Sequence, residues 1–366
     1  MDLGVGFTTW MWGKTSGDFE SASKSGKYPN MADMLSVVPA SALALTVFKV
    51  IAEKMVLAPL MKGMVVRSKT ELPFVSKEME SMYQESKPAL PDINRIKTES
   101  SILKRSVEEL NNWFRARQRQ DRDTIKVRVC CESAWRFIMY SLCVASNLKL
   151  MKDEGITVAN AWDNLPFQES STELRHFYST LELPLYVVLL FFQLLEGRKA
   201  HDMWEMSTHH LLVVLLIGIV YTGNFLRIGL YGLILHDVTD LFLESSKLAN
   251  YLKFRKLADL LFTGFAFSWG YSRIYKFTTV VLPSVTKHGR DVSGDSFTAV
   301  TLLLGVLYFL NLYWFWKIAK LWLKLFWVGN GKERQQRAMT DLSTDDEVDS
   351  DSSFFSDGST LKRHED

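Results

Sequence analysis

Long apolar runs alternate with charged stretches along this chain, and roughly 20 apolar residues suffice for a helix to span a hydrocarbon core. Seven runs approach or exceed that length: residues 34–59, 129–149, 179–197, 207–226, 229–248, 257–283 and 298–328. The first, third, fourth and last are plain. The second, ESAWRFIMYSLCVASNL, carries its charges near its start. The fifth is interrupted by His236, Asp237, Asp240 and Glu244, and without it six spans would remain. The pattern predicts an all-α fold: a polytopic bundle of about seven transmembrane helices around an intramembrane cavity.

Loop charge orients the bundle, because basic residues collect on the cytosolic side. Residues 61–128 hold 15 Lys and Arg against 10 Asp and Glu, whereas 149–177 hold three basic and five acidic residues. Arg198 and Lys199 mark one short loop; Lys247, Lys253, Arg255 and Lys256 mark another. Seven spans put every basic loop on the cytosolic side, with the N-terminal segment outside and the C-terminal tail inside. The expected organisation is therefore an outer segment over 1–33, a first span over 34–59 and a cytosolic helix-prone segment over 65–128. A membrane domain over 129–328 and a tail over 329–366 complete it.

Composition adds detail. The overall figures, 47% hydrophobic and a net charge of +2, average over two unlike populations, while 13% aromatics and 11 Trp suit membrane interfaces. Cys130, Cys131 and Cys143 form neither a disulfide framework nor a zinc pattern. The N-terminus lacks a basic and then apolar leader, so no cleaved signal peptide is expected. The tail, with its DLSTDDEVDSDSSFFSDGS stretch, has a disordered composition. Ser343 and Thr344 each precede an acidic residue by three positions, as an acid-directed kinase requires; a purely solubilising tail reads equally well.

Ionisable side chains at bilayer depth are costly and mark function by default. They cluster between residues 208 and 247. His209 and His210 open one span, Asn224 and Arg227 lie near its far end, and His236, Asp237, Asp240, Glu244 and Lys247 run along the next. A turn near 225–228 would make the two helices antiparallel, and a rise of 1.5 Å per residue then sets Asp240 level with the His pair. His236, Asp240, Glu244 and Lys247 share one face at i, i+4, i+8, i+11, with Asp237 on its edge. A carboxylate bonded to one ring nitrogen would fix the tautomer and raise the basicity of the other. Such an imidazole can act as a general base, or attack an activated acyl group itself. Proton relay in a transporter and metal binding by the His and Asp set are the competing readings at this point.

The stretch MSTHHLLVVLLIGIVYTGNFLRIGLYGLILHDVTDLFLESSKLANY resembles the signature of the longevity-assurance ceramide synthases of the TLC-domain superfamily. The pattern is HH, a long apolar gap, N-x-x-R, then H-D-x-x-D with E and K following. VFKVIAEKMVLAPL, CCESAWRFIMYSLC, FYSTLELPLY and NLYWFW extend the likeness over about residues 35–328. Residues 103–122 resemble the third helix of a homeodomain, a segment that animal members carry. There Trp113, Phe114, Arg115, Ala116 and Arg117 stand for WF-x-N-x-R, and Ala116 lacks the amide that reads adenine. No DNA binding is therefore expected. Many relatives have a histidine at the position of Asn311, and no N-x-S/T sequon is present.

The resemblance implies N-acylation of a sphingoid base (sphinganine or sphingosine) by a fatty acyl-CoA in the endoplasmic reticulum membrane. The N-terminus would be luminal and the tail cytosolic. No cofactor is implied, and a homo- or hetero-dimer is allowed. His209 or His210 would remove the amine proton, oriented by Asp237 or Asp240, with His236 in the catalytic set. Asn224 and Arg227 are substrate-binding candidates. Arg198, Lys199, Lys253, Arg255 and Lys256 would meet the CoA head group, a role that positive-inside residues without a ligand would equally mimic. The connection over 283–296, with Gly289 and Gly294, is the expected determinant of acyl-chain length. The alternative is a non-enzymatic TLC-domain protein that senses or moves lipids; such relatives commonly lack the full HH…HD-x-x-D set.

Overall fold

The computed structural model describes residue 18 and residues 26–66, 72–74, 76–87, 90–196, 203–289 and 297–327. Every regular element among them is helical. The tail, the connection over 197–202 and the stretch 290–296 lie outside the described residues, and so therefore do Arg198, Lys199, Ser343, Thr344 and Gly294.

Helix α1 (Met31–Val65) starts where Asn30 accepts a hydrogen bond from the Ala32 amide at 2.8 Å. Two of its in-span charges pair: Lys49 meets Glu53 at 2.6 Å and lies 4.2 Å above the Phe192 ring. Helices α2 (Lys77–Ser86) and α3 (Ile93–Leu103) pack with the start of α4 (Val107–Asp153) around Met79, Met82, Tyr83, Ile96, Leu110, Trp113 and Phe114. Trp113 Nε1 donates to the Phe74 carbonyl at 2.7 Å. Ser106 and Glu109 close a reciprocal capping box on α4.

Helix α4 is 47 residues long, about 70 Å, and runs unbroken from this small module into the bundle. The sequence reading placed a boundary near residue 128, but neither Gly nor Pro occurs between Val107 and Asp153 to end a helix there.

The bundle continues with α5 (Thr172–Leu195), α6 (Met203–Thr222), α7 (Leu226–Tyr251), α8 (Arg255–Trp269, continued by Gly270–Val281, Leu282–Ser284 and Val285–Gly289) and α9 (Phe297–Trp327). Of these, α1, α5, α6 and α9 are long and apolar enough to cross a membrane by length and composition. Helix α7 packs between α4 and α8, α6 between α5 and α9, and α1 against α5. Large apolar side chains such as Leu43, Met55, Phe267, Leu302 and Phe309 are exposed on the outside, as a lipid-facing surface requires.

Two helices change winding where they border the centre. In α5, Phe177–Glu182 forms a wider π-helical turn; in α8, Gly270–Val281 does the same and the chain stays helical to Gly289. Insertions of this kind recur at functional sites. The longer turn keeps every fourth residue of α8, Arg273, Phe277, Val281 and Val285, on the buried side.

Candidate active site

Residues 223–225 connect α6 to α7. Asn224 adopts φ +57°, a left-handed conformation that Asn tolerates better than most residues. The turn makes the helices antiparallel, as the sequence predicts. Gly229 lets them close near it: a Cβ there would meet Val220 Cγ1 at 2.4 Å and Tyr178 Oη at 2.5 Å. Further along, an apolar cavity of about 1010 Å³, its open mouth included, lies between them. Val213, Leu216 and Val220 of α6, Leu233 and His236 of α7, Phe277 and Val281 of α8 and Leu304 of α9 are among its walls.

Of the histidines and carboxylates, His236 is the one in the lining of this cavity, beside Tyr186. His209 is buried, its ring edge-on to Trp314 at 5.0 Å and 5.8 Å from the His210 ring. His210 faces Tyr186 of α5, ring to ring at 6.4 Å. Tyr186 Oη donates to Asp237 Oδ1 at 3.1 Å. His236 Nδ1 contacts the Gly232 carbonyl at 2.8 Å, and its ring lies 6.1 Å from Phe277. Asp240 Oδ1 accepts a bond of 2.7 Å from Arg273 Nη2, which also donates to the His236 carbonyl at 3.0 Å. The Arg273 guanidinium lies 4.0 Å over the Trp269 ring.

The polar edge of α7 is thus divided among three neighbours. His236 and Asp240 face α8, Asp237 faces α5, and Glu244 lies 3.3 Å from Lys247 and 3.8 Å from Arg136 of α4. This corrects one expectation. Among the described residues neither Asp237 nor Asp240 is hydrogen bonded to an imidazole, because a phenol and a guanidinium reach them first. Ring nitrogens His209 Nδ1, His210 Nδ1 and His236 Nε2 are buried without a protein hydrogen-bond partner.

Asn224 and Arg227 stand apart from this cluster. Asn224 Nδ2 donates to the Pro166 and Gln168 carbonyls at 2.7 and 2.9 Å, and Arg227 Nη2 reaches the Glu169 carbonyl at 3.4 Å. Both therefore tie the α4–α5 loop to the α6–α7 turn. At the opposite end of α7, Lys253, Arg255 and Lys256 are exposed around the α7–α8 turn.

Three participants escaped the sequence reading. Arg273 and Glu182 are ionisable residues inside apolar runs, the very signal used for the histidines. Glu182 is fully buried, both its oxygens lack a hydrogen-bond partner, and it lies beside Asp237 and Cys143. Tyr186 carried no signal, since a Tyr in an apolar run is commonplace. Among the described residues no group of three His, Cys, Asp or Glu is disposed to hold a metal ion.

Residues 130–320 match the family described as TLC domain. The chain is 32% identical to ceramide synthase 4 of Bos taurus over 300 residues, 80% of this chain and 74% of that protein. It is 30% identical to ceramide synthase 4 of Homo sapiens over 291 residues, 77% and 72% of the two chains. To ceramide synthase 5 of Homo sapiens it is 30% identical over 262 residues, 70% and 66% of the two chains.

Proposed function

The chain belongs to the ceramide synthases, a family of TLC-domain proteins, and from this we infer a sphingosine N-acyltransferase whose acyl donor is a fatty acyl-CoA. One observation supports the chemistry above all. The partner-free ring nitrogen of His236 stands on the wall of an apolar cavity that suits an alkyl chain.

In this reading the acyl chain enters the cavity with its thioester carbonyl at the level of His236. The sphingoid amine attacks that carbon; the C–N bond forms and the C–S bond breaks. His209 or His210 takes the amine proton and returns it to the departing CoA sulfur, so ceramide and free CoA leave. General-base assistance of this kind is worth on the order of 10²–10⁴ in rate. Asp237, through Tyr186, and Asp240, through Arg273, hold the surroundings of the imidazoles in place. They are positioning groups here rather than direct partners of the rings.

Seven helices cross the bilayer in this proposal: α1, the second half of α4, and α5 to α9. The N-terminus is luminal, the tail cytosolic and the membrane that of the endoplasmic reticulum. Lys253, Arg255 and Lys256 then face the cytosol, where CoA phosphates arrive, and the same order of spans assigns the sequence positions of Arg198 and Lys199 to that side. The module of α2, α3 and the start of α4 is the homeodomain-like segment. Arg117 lies between Glu80 and Asp121, which favours a structural role over DNA recognition.

Membranes containing the chain, offered sphinganine and a ladder of acyl-CoAs, should yield N-acyl product and free thiol in equal amounts. Absence of product from every acyl-CoA, at normal protein abundance, would leave the non-enzymatic lipid-binding alternative.

A further inference from the structure

The cavity has a second end, remote from His236, and its wall there comes from another part of the chain. Trp162 belongs to the loop between α4 and α5, yet it lines the cavity with Phe225, Val285 and Val300. The indole is fixed on several sides. Its Nε1 donates to Ser284 Oγ, its ring stacks on His288 at 5.7 Å and 24°, and Phe225 lies 6.0 Å away. The loop beneath it is fixed too. Gln168 Nε2 donates to the Asp163 carbonyl at 2.8 Å, and Asn224 holds the Pro166 and Gln168 carbonyls. From Phe225, which caps α7, to His236 is 11 residues, about 16 Å of rise, so the cavity runs lengthwise between His236 and this indole.

We propose that Trp162 is the floor of the acyl pocket and sets the longest acyl chain the enzyme accepts, held in that position by Ser284 and His288. The proposal rests on the acyl-transfer reading above. Val285 touches the cavity directly, while Ser284 and His288 act by seating a residue from a different loop.

The test uses full-length protein in membranes, with acyl-CoAs of graded length competing for sphinganine. Trp162→Ala should move the product distribution towards longer chains. Each methylene newly admitted is worth about a fourfold change in relative preference. Trp162→Phe should fall between wild type and Trp162→Ala, and Ser284→Ala should shift weakly in the same direction. Gly232→Val probes the cavity independently. Gly232 lines it, and a Cβ there meets nothing within 4 Å, so the added bulk enters the cavity one turn from His236. That variant should lose long-chain products preferentially.

The outcomes separate. A changed profile in Gly232→Val with unchanged profiles in both Trp162 variants overturns the floor and leaves the acyl pocket standing. Unchanged profiles in all variants overturn the floor together with the assignment of this cavity. No product from wild type overturns the activity itself. Should Trp162→Ala fail to accumulate, Trp162→Phe decides: an unchanged or shortened profile refutes the proposal.

Discussion

Arg273 Nη2 meets Asp240 Oδ1 at 2.7 Å, with the arginine 2% and the Asp240 side chain 16% exposed. Removing one member of a buried ion pair leaves an uncompensated charge, a loss of about 3–5 kcal/mol. Arg273→Leu should therefore lower the thermal stability of the detergent-purified protein more than Asp240→Asn, because the asparagine still accepts a hydrogen bond. Combining the two changes should recover part of the loss. Equal stability of Arg273→Leu and wild type would show the pair to be incidental.

Tyr186 couples His210 to Asp237, touching the first ring to ring and the second by hydrogen bond. A hydrogen bond to a charged group contributes about 2 kcal/mol, or about thirtyfold in rate if it acts in the transition state. Tyr186→Phe and Asp237→Leu, which removes the acceptor, should each lower turnover to that extent. The double variant should be little worse than either, since both remove one interaction. Additive losses in kcat would mean that the two residues act separately.

Asn224 belongs to the N-x-x-R part of the motif, yet its amide holds the loop that carries Trp162. Asn224→Ala loses two hydrogen bonds and places alanine at φ +57°, together about 2–3 kcal/mol. Asn224→Gly keeps the backbone conformation and should lose less. Both should reduce stability more than turnover per folded molecule, measured by thermal unfolding beside initial rates. A selective fall in turnover with stability intact would return Asn224 to the substrate site.

The spans with unbroken hydropathy were legible in the sequence, and so was the convergence of His209, His210, His236, Asp237 and Asp240. A short turn and a fixed helical rise determine the level of each residue. What pairs with what was not legible. Helical spacing puts Asp237 and Asp240 near the histidines, but whether a carboxylate bonds a ring or another group depends on residues from α5 and α8. Arg273 was visible as a charge in an apolar run, and a window average concealed it. Trp162 lies 122 residues from its partner Ser284, and no local pattern links a loop indole to a cavity floor. The unbroken passage of α4 from module to bundle reflects a missing stop signal, which reads less readily than a present one.

The module below the bundle should be acid-sensitive. The Arg117 hydrogen bond, its largest influence, holds Glu80 below the ordinary 4.5. Burial pushes Asp121 up, but bonds from Lys87 and Arg117 outweigh it and hold the group below 3.8. A carboxylate depressed on folding adds stability above its unfolded pKa and loses it as pH falls through the folded one. Protection of α2 against hydrogen exchange, corrected for the intrinsic pH dependence, should therefore persist above about pH 4.5 and decline below the carboxylate range. Glu80→Gln should blunt that decline. A flat profile in the wild type would mean that the network contributes nothing to the module.

The two adjacent histidines should behave unequally. Consecutive residues on a helix point about 100° apart, so one reacting atom cannot face both rings equally. His209 is buried against Trp314, and its truncation leaves a hole beside a large aromatic as well as removing an imidazole. Losses of that kind cost stability. His210 is only partly buried and faces Tyr186, and through it Asp237, the arrangement expected of the ring that carries the proton. His210→Ala should accordingly lower turnover by about 10²–10⁴ with abundance and thermal stability retained. His209→Ala should lower turnover and stability together. Initial rates normalised to folded protein, beside unfolding midpoints for each variant, separate the two effects. Near-normal turnover in His210→Ala would move the base to His209, and near-normal turnover in both would remove the histidine pair from the chemistry altogether.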